Sequence, residues 1–139
     1  MSAASLSGSQ RAVLARLADV LIAEGRGMPA ASAVDVSGEL IDRCLEAAPV
    51  LRAPLGALLD EFADDPPAES VRQLASRRPN DFSVLSTAVV GAYYLSREVR
   101  ALIGYPGQQP DPISVAGEPE YLDMLERVYG RHPGYREAP

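Results

Sequence analysis

Between its glycine and proline breaks, this 139-residue chain repeats apolar residues at three- and four-residue steps, and no stretch alternates as a half-buried strand does. Val13, Leu14, Leu17, Ala18, Leu21 and Ile22 mark one helical stripe, with Ser9 as its expected N-cap. The run Glu24 to Pro29, rich in Gly and closed by Pro, ends it. A second stripe begins near Ser37 with Leu40, Ile41, Cys44, Leu45 and Ala48. Pro49 and Pro54 force the chain to re-enter helix before Leu55, Leu58, Leu59 and Phe62. Val71, Leu74 and Ala75 predict a short fourth helix. Asn80 or Asp81 then caps a longer one carrying Phe82, Leu85, Val89, Ala92 and Tyr93. Ser96 predicts a bend, after which Val99, Leu102 and Ile103 continue the apolar face. Gly104 stands where a left-handed residue closes a helix, with Tyr105 packing back. The last helix opens near Pro119, carries Tyr121, Leu122, Leu125, Val128 and Tyr129, and stops at Gly130. The expectation is an all-α fold: a flexible N-terminus over 1–8, one compact domain of five or six helices over 9–130, and a polar tail over 131–139. A Pro/Gly-rich, non-helical strap, Gly104 to Pro112, precedes the last helix.

The reactive inventory is short. All thirteen basic residues are Arg, and there is one His (His132) and one Cys (Cys44). A chain without Lys has no Schiff-base lysine and no Walker-type phosphate loop. One His and one Cys do not make a Cys/His zinc site, nor the paired Glu-x-x-His motifs of a di-iron bundle. No disulfide forms within the chain. Cys44 lies inside an apolar stripe and reads as a small hydrophobe. His132 sits in the tail with no carboxylate or nucleophile placed near it. A net charge of -6, with Arg77-Arg78 the only basic pair, argues against nucleic acid as a partner. The longest apolar run, Ala88 to Leu95, falls well short of the ~18 residues of a membrane span. Met1 to Ser9 lacks the basic and apolar regions of an export signal, so a cytoplasmic location is expected.

Three features stand apart from simple packing. Tyr93 and Tyr94 project about 100° apart on a helix, so either one ring faces outward or the helix is buried on most sides. The strap is either a stiff surface laid across a partner or the connector to the last helix. Asp60, Glu61, Asp64 and Asp65 crowd a helix C-terminus, where carboxylates oppose the macrodipole. A cation, a basic partner or plain solvation would each account for them.

The order of these motifs resembles that of the gluconate 2-dehydrogenase subunit 3 family. Leu14-Ala15-Arg16-Leu17-Ala18-Asp19-Val20-Leu21-Ile22, followed by a small-residue loop through Ala33, is similar to that family's opening pattern, with Ala23 where a Pro is usual. Ala92-Tyr93-Tyr94 and Ile103-Gly104-Tyr105-Pro106-Gly107 are similar to its later Tyr-Tyr and Gly-Tyr-x-Gly elements. The resemblance spans most of residues 11–112. It implies an accessory subunit, not catalytic alone, that binds no cofactor itself and partners a large FAD-dependent flavoprotein of the glucose–methanol–choline class. Exported relatives carry a twin-arginine signal; without one, a stable cytoplasmic complex is the expectation. The residues expected to meet the partner are Tyr93, Tyr94, Tyr105, Pro106, Gly107, Gln108 and Pro110. The alternatives are a stand-alone helical domain, enzymatic or small-molecule-binding, and a regulatory module with an unrelated partner.

Overall fold

Why each segment is helical, and where it stops, is visible in its end groups. The computed structural model describes residues 5–110 and 120–131. Helix α1 (Gly8–Leu21) opens on a capping box: Ser7 Oγ accepts from the Gln10 N–H at 3.2 Å, and Gln10 Oε1 accepts from the Ser7 N–H at 2.9 Å. The cap is therefore Ser7, two residues before the expected Ser9, because Gln10 lies three residues after Ser7. A 3-10 turn (Ser32–Val34) and a wide turn (Val36–Leu40) lead into α2 (Ile41–Ala47). A second 3-10 turn (Pro49–Leu51) leads into α3 (Arg52–Glu61). Then come α4 (Pro67–Arg77), α5 (Pro79–Leu95), α6 (Arg97–Leu102) and α7 (Glu120–Arg131).

The expected all-α fold is what forms, with seven α-helices and no strand among the described residues. The seventh arises at Ser96, whose extended backbone divides the expected fifth helix and whose hydroxyl caps α6 by accepting from the Val99 N–H at 3.4 Å. Helix α5 begins at Pro79, not after Asn80 or Asp81. Proline needs no N–H partner in a first turn, and Asp81 instead pairs with Arg78 at 2.7 Å. Helix α7 runs through Gly130 to Arg131. The expected Pro119 start and the tail with His132 lie outside the described residues.

The chain divides into two compact units, Met1–Gly107 and Gln108–Pro139. In the first, α5 is the central element. It packs on α2, α3, α4 and α6, while α1 packs on α3, α4 and the Val36–Leu40 turn. Leu85, Ala88, Val89, Ala92 and Tyr93 of α5 are buried, and only a narrow strip including Val90 and Tyr94 is exposed. Leu14, Leu17, Ile41, Leu45, Leu55, Leu59 and Leu74 complete the core. Three residues expected on apolar faces are not core. Ala75 is exposed, its place taken by Ser70, whose hydroxyl donates to the Pro66 carbonyl at 3.0 Å. Leu102 and Ile103 are half exposed, because the turn at Ser96 points α6 inward through Val99 alone. The second unit contributes α7, whose apolar side chains from Tyr121 to Tyr129 are all exposed.

One polar residue organises the start of the body. Arg11 Nη2 holds both oxygens of Asp42 at 2.8 Å, Nη1 donates to the Ser37 and Gly38 carbonyls at 2.8 and 2.9 Å, and Nε donates to the Leu6 carbonyl at 3.1 Å. These bonds fasten the start of α1 to the wide turn and to Asp42 of α2. Gly38 in that turn has no room for a side chain, since a Cβ would fall on the Asp35 carboxylate.

Where α2 crosses α5, a Cβ on Gly91 would stand 2.9 Å from Cys44 Sγ. Gly91→Ala is expected to lose about 1 kcal/mol by overpacking. In a Cys44→Ala background the same change should gain up to about 1 kcal/mol through helix propensity. Urea unfolding of the two single variants and the double variant measures that change of sign, and simple additivity would refute the close crossing.

Candidate functional site

Cys44, on α2, is half-buried, its thiol 3.6 Å from the Ala88 carbonyl, and burial pushes its pKa up. A thiol held neutral in this way is a poor nucleophile. Of Asp60, Glu61, Asp64 and Asp65, Glu61 alone meets a basic partner among the described residues. Glu61 pairs with Arg78 at 2.6 Å, Asp60 accepts from Gln10 Nε2 at 3.0 Å, and Arg16 Nη2 donates to the Ala63 carbonyl at 2.7 Å. Arg78 also lies over the Phe62 ring, 5.8 Å from its centre. Asp64 and Asp65 are exposed. No group of three or more His, Cys, Asp or Glu among the described residues is placed to hold a metal ion.

The two segments that carry the family resemblance meet at one loop. Asp19, near the end of α1, accepts from the Ser32 N–H at 2.7 Å and from the Ser32 hydroxyl at 2.6 Å. The Ala31 N–H closes the loop on the Ile22 carbonyl at 3.0 Å. At its tip, Gly25 and Met28 exchange backbone hydrogen bonds of 3.1 and 2.9 Å across Arg26 and Gly27, both left-handed at φ 52° and 81°. From the other side Tyr93 donates its hydroxyl to the Pro29 carbonyl at 2.7 Å. Asp19 and Tyr93 thus tie the same loop to α1 and to α5. Sequence reasoning passed over Asp19 as a site residue; a carboxylate at a helix end followed by a small-residue loop is the signal that marks it.

Tyr93 is 3% exposed and belongs to the core, so it is withdrawn from the expected partner-binding set. Its ring meets that of Tyr94 edge-on, centres 5.6 Å apart. Tyr94 is the outward ring, at 50% exposure. Beyond α6 the chain closes in a Schellman turn: Gly104, at φ 72°, donates to the Ala101 carbonyl at 3.1 Å, and Tyr105 N–H donates to the Arg100 carbonyl at 2.9 Å. The turn places Leu102, Ile103 and Tyr105 at the surface, each about half exposed. Pro106 is exposed and Gly107 half-buried. Gln108 and Pro110, exposed, belong to the second unit, and the end of the strap, from Asp111, lies outside the described residues. An open hollow of ≈ 420 Å³ joins the Glu24–Pro29 loop to Glu98 and Leu102 of α6.

No protein-family model, no curated protein and no solved structure matches the chain. No helix among the described residues is long and apolar enough to cross a membrane.

Burial raises the Tyr93 phenol pKa above its ordinary 10.0, with the nearby charges of Tyr94 and Glu98 adding to the effect. The fold holds the neutral phenol. Its contribution is therefore whole below the ordinary value and lost as pH rises through the raised folded one. Tyr93→Phe should cost about 1 kcal/mol at neutral pH by removing the bond to Pro29. That difference should close as pH climbs above about 10. The two proteins differ only at residue 93, so the difference between their urea midpoints against pH isolates the effect. A difference that persists unchanged into strong alkali would contradict it.

Proposed function

We propose that this chain is a non-catalytic helical subunit that binds and stabilises a large FAD-dependent oxidoreductase, the flavin residing in the larger partner. What supports the reading is the resemblance of the motif order, together with the way both motif segments converge on the loop from Ile22 to Ser32. The observation that carries it is the surface just beyond that convergence. Tyr94, Leu102, Ile103 and Tyr105 are about half exposed within twelve residues of chain, on backbone held by a helix, a serine cap and a Schellman turn. Exposed Tyr and aliphatic side chains on pre-ordered backbone favour association, because little entropy remains to be lost. The small subunit would act by covering an apolar face of the flavoprotein, stabilising its flavin-loaded form by mass action. The complex is read as a cytoplasmic heterodimer.

Co-expression with a glucose–methanol–choline-type flavoprotein encoded beside it should yield a co-purifying pair with flavin absorbance. Tyr94→Asp and Tyr105→Asp should each weaken the pair by about tenfold or more, since a carboxylate at a desolvated contact costs upwards of about 1.4 kcal/mol. Tyr93→Phe should act on stability and leave the pairing intact in folded protein. A flavoprotein that folds and loads flavin fully alone, and never associates with this chain, would defeat the reading.

A further inference from the structure

Thirteen arginines share this chain with nineteen carboxylates, and the ion pairs among the described residues use Arg11, Arg72 and Arg78. Arg97 and Arg100 form no ion pair among those residues. What sets them apart from an isolated exposed residue such as Arg43 is that they stand together. They lie three residues apart on α6, so their side chains share one face, where like charges repel. Both line an open hollow of ≈ 330 Å³ completed by Ala101, Tyr105 and Pro106. No carboxylate lines it; Glu98 of the same helix turns to the other hollow with Glu24.

The donors are partly fixed. Arg100 Nη2 reaches the Leu95 carbonyl at 3.3 Å, and its Nε is buried without an acceptor. A buried donor without an acceptor is costly, and an anion beside the guanidinium would offset that cost. The Schellman turn keeps Tyr105 beside these groups, because its N–H is bonded to the Arg100 carbonyl at 2.9 Å. Pro106 then stiffens the wall. The result is a cationic hollow with a neighbouring phenol on a chain whose net charge is -6.

We infer that this hollow binds the oxyanion of a small molecule, a phosphoryl or carboxylate group held by Arg97 and Arg100 beside Tyr105. Guanidinium forks match both anions in shape and donor spacing. Bound there, the anion relieves the repulsion between the two arginines and leaves room in the hollow for the atoms that carry it. The inference concerns the chain by itself and does not depend on a flavoprotein partner.

Titration of the full chain with sodium phosphate and, separately, sodium acetate, followed by amide chemical shifts, tests it against sodium chloride at matched ionic strength. Saturable shifts confined to residues 97–106, absent with chloride, are expected; the anion that saturates at lower concentration identifies the group preferred. Arg97→Gln should weaken binding about tenfold, as should Arg100→Gln, while Arg43→Gln leaves it unchanged. Arg97 is exposed, so its variant retains the fold and decides the matter without Arg100. Shifts that never saturate, that scatter over arginines outside this segment, or that survive Arg97→Gln with unchanged affinity would overturn the inference.

Discussion

The body from Ser5 to Gly107 depends on burying one helix, α5, against four others. A helix enclosed on so many sides has to be apolar or small almost all round, and α5 is: Leu85, Ala88, Val89, Gly91, Ala92 and Tyr93 meet neighbours in turn. Close approach is purchased with small residues, most sharply where Gly91 lets Cys44 of α2 lie directly against the α5 backbone. The free thiol is then a packing group in a tight crossing. Its neutral state follows from the same burial.

That burial also explains the placement of the surface. With Tyr93 drawn into the core, its hydroxyl needs an acceptor, and Pro29 supplies one from the loop that Asp19 anchors at Ser32. Tyr94, the next residue, is turned outward by helix geometry alone. Ser96 then breaks the helix, α6 turns in through Val99, and the left-handed Gly104 brings Leu102, Ile103 and Tyr105 to the surface. Core and surface are thus linked through adjacent residues. A change at Tyr93 is expected to read out as stability, and one at Tyr94, on the proposed partner surface, as association.

The stripes of α1 through α5 were legible in the sequence because apolar spacing reports directly on burial: Leu14, Leu17, Ile41, Leu45, Leu55, Leu59 and Leu85 all reach the core. Gly104 was legible because a glycine before Tyr-Pro at a helix end leaves few alternatives. Other features depend on tertiary partners that spacing does not encode. Arg11 looks like any surface arginine until the wide turn at Ser37 and Gly38 presents its carbonyls. The acidic run near Pro66 left a cation, a basic partner and plain solvation open; Arg78 reaches Glu61 from elsewhere in the chain, while Asp64 and Asp65 stay exposed. The adjacent tyrosines left open whether one ring faces outward or the helix is buried on most sides; Tyr93 turns inward to reach Pro29, and Tyr94 is the exposed ring.

The central claim is that the segment from Tyr94 to Gly107 forms the face a flavoprotein covers. Hydrogen–deuterium exchange of the chain, free and in complex with that flavoprotein, tests it most directly. The account predicts slower exchange concentrated in residues 94–107, with α3 and α4 unchanged. Protection that falls on α3 and α4 while 94–107 exchanges as in the free chain would contradict it.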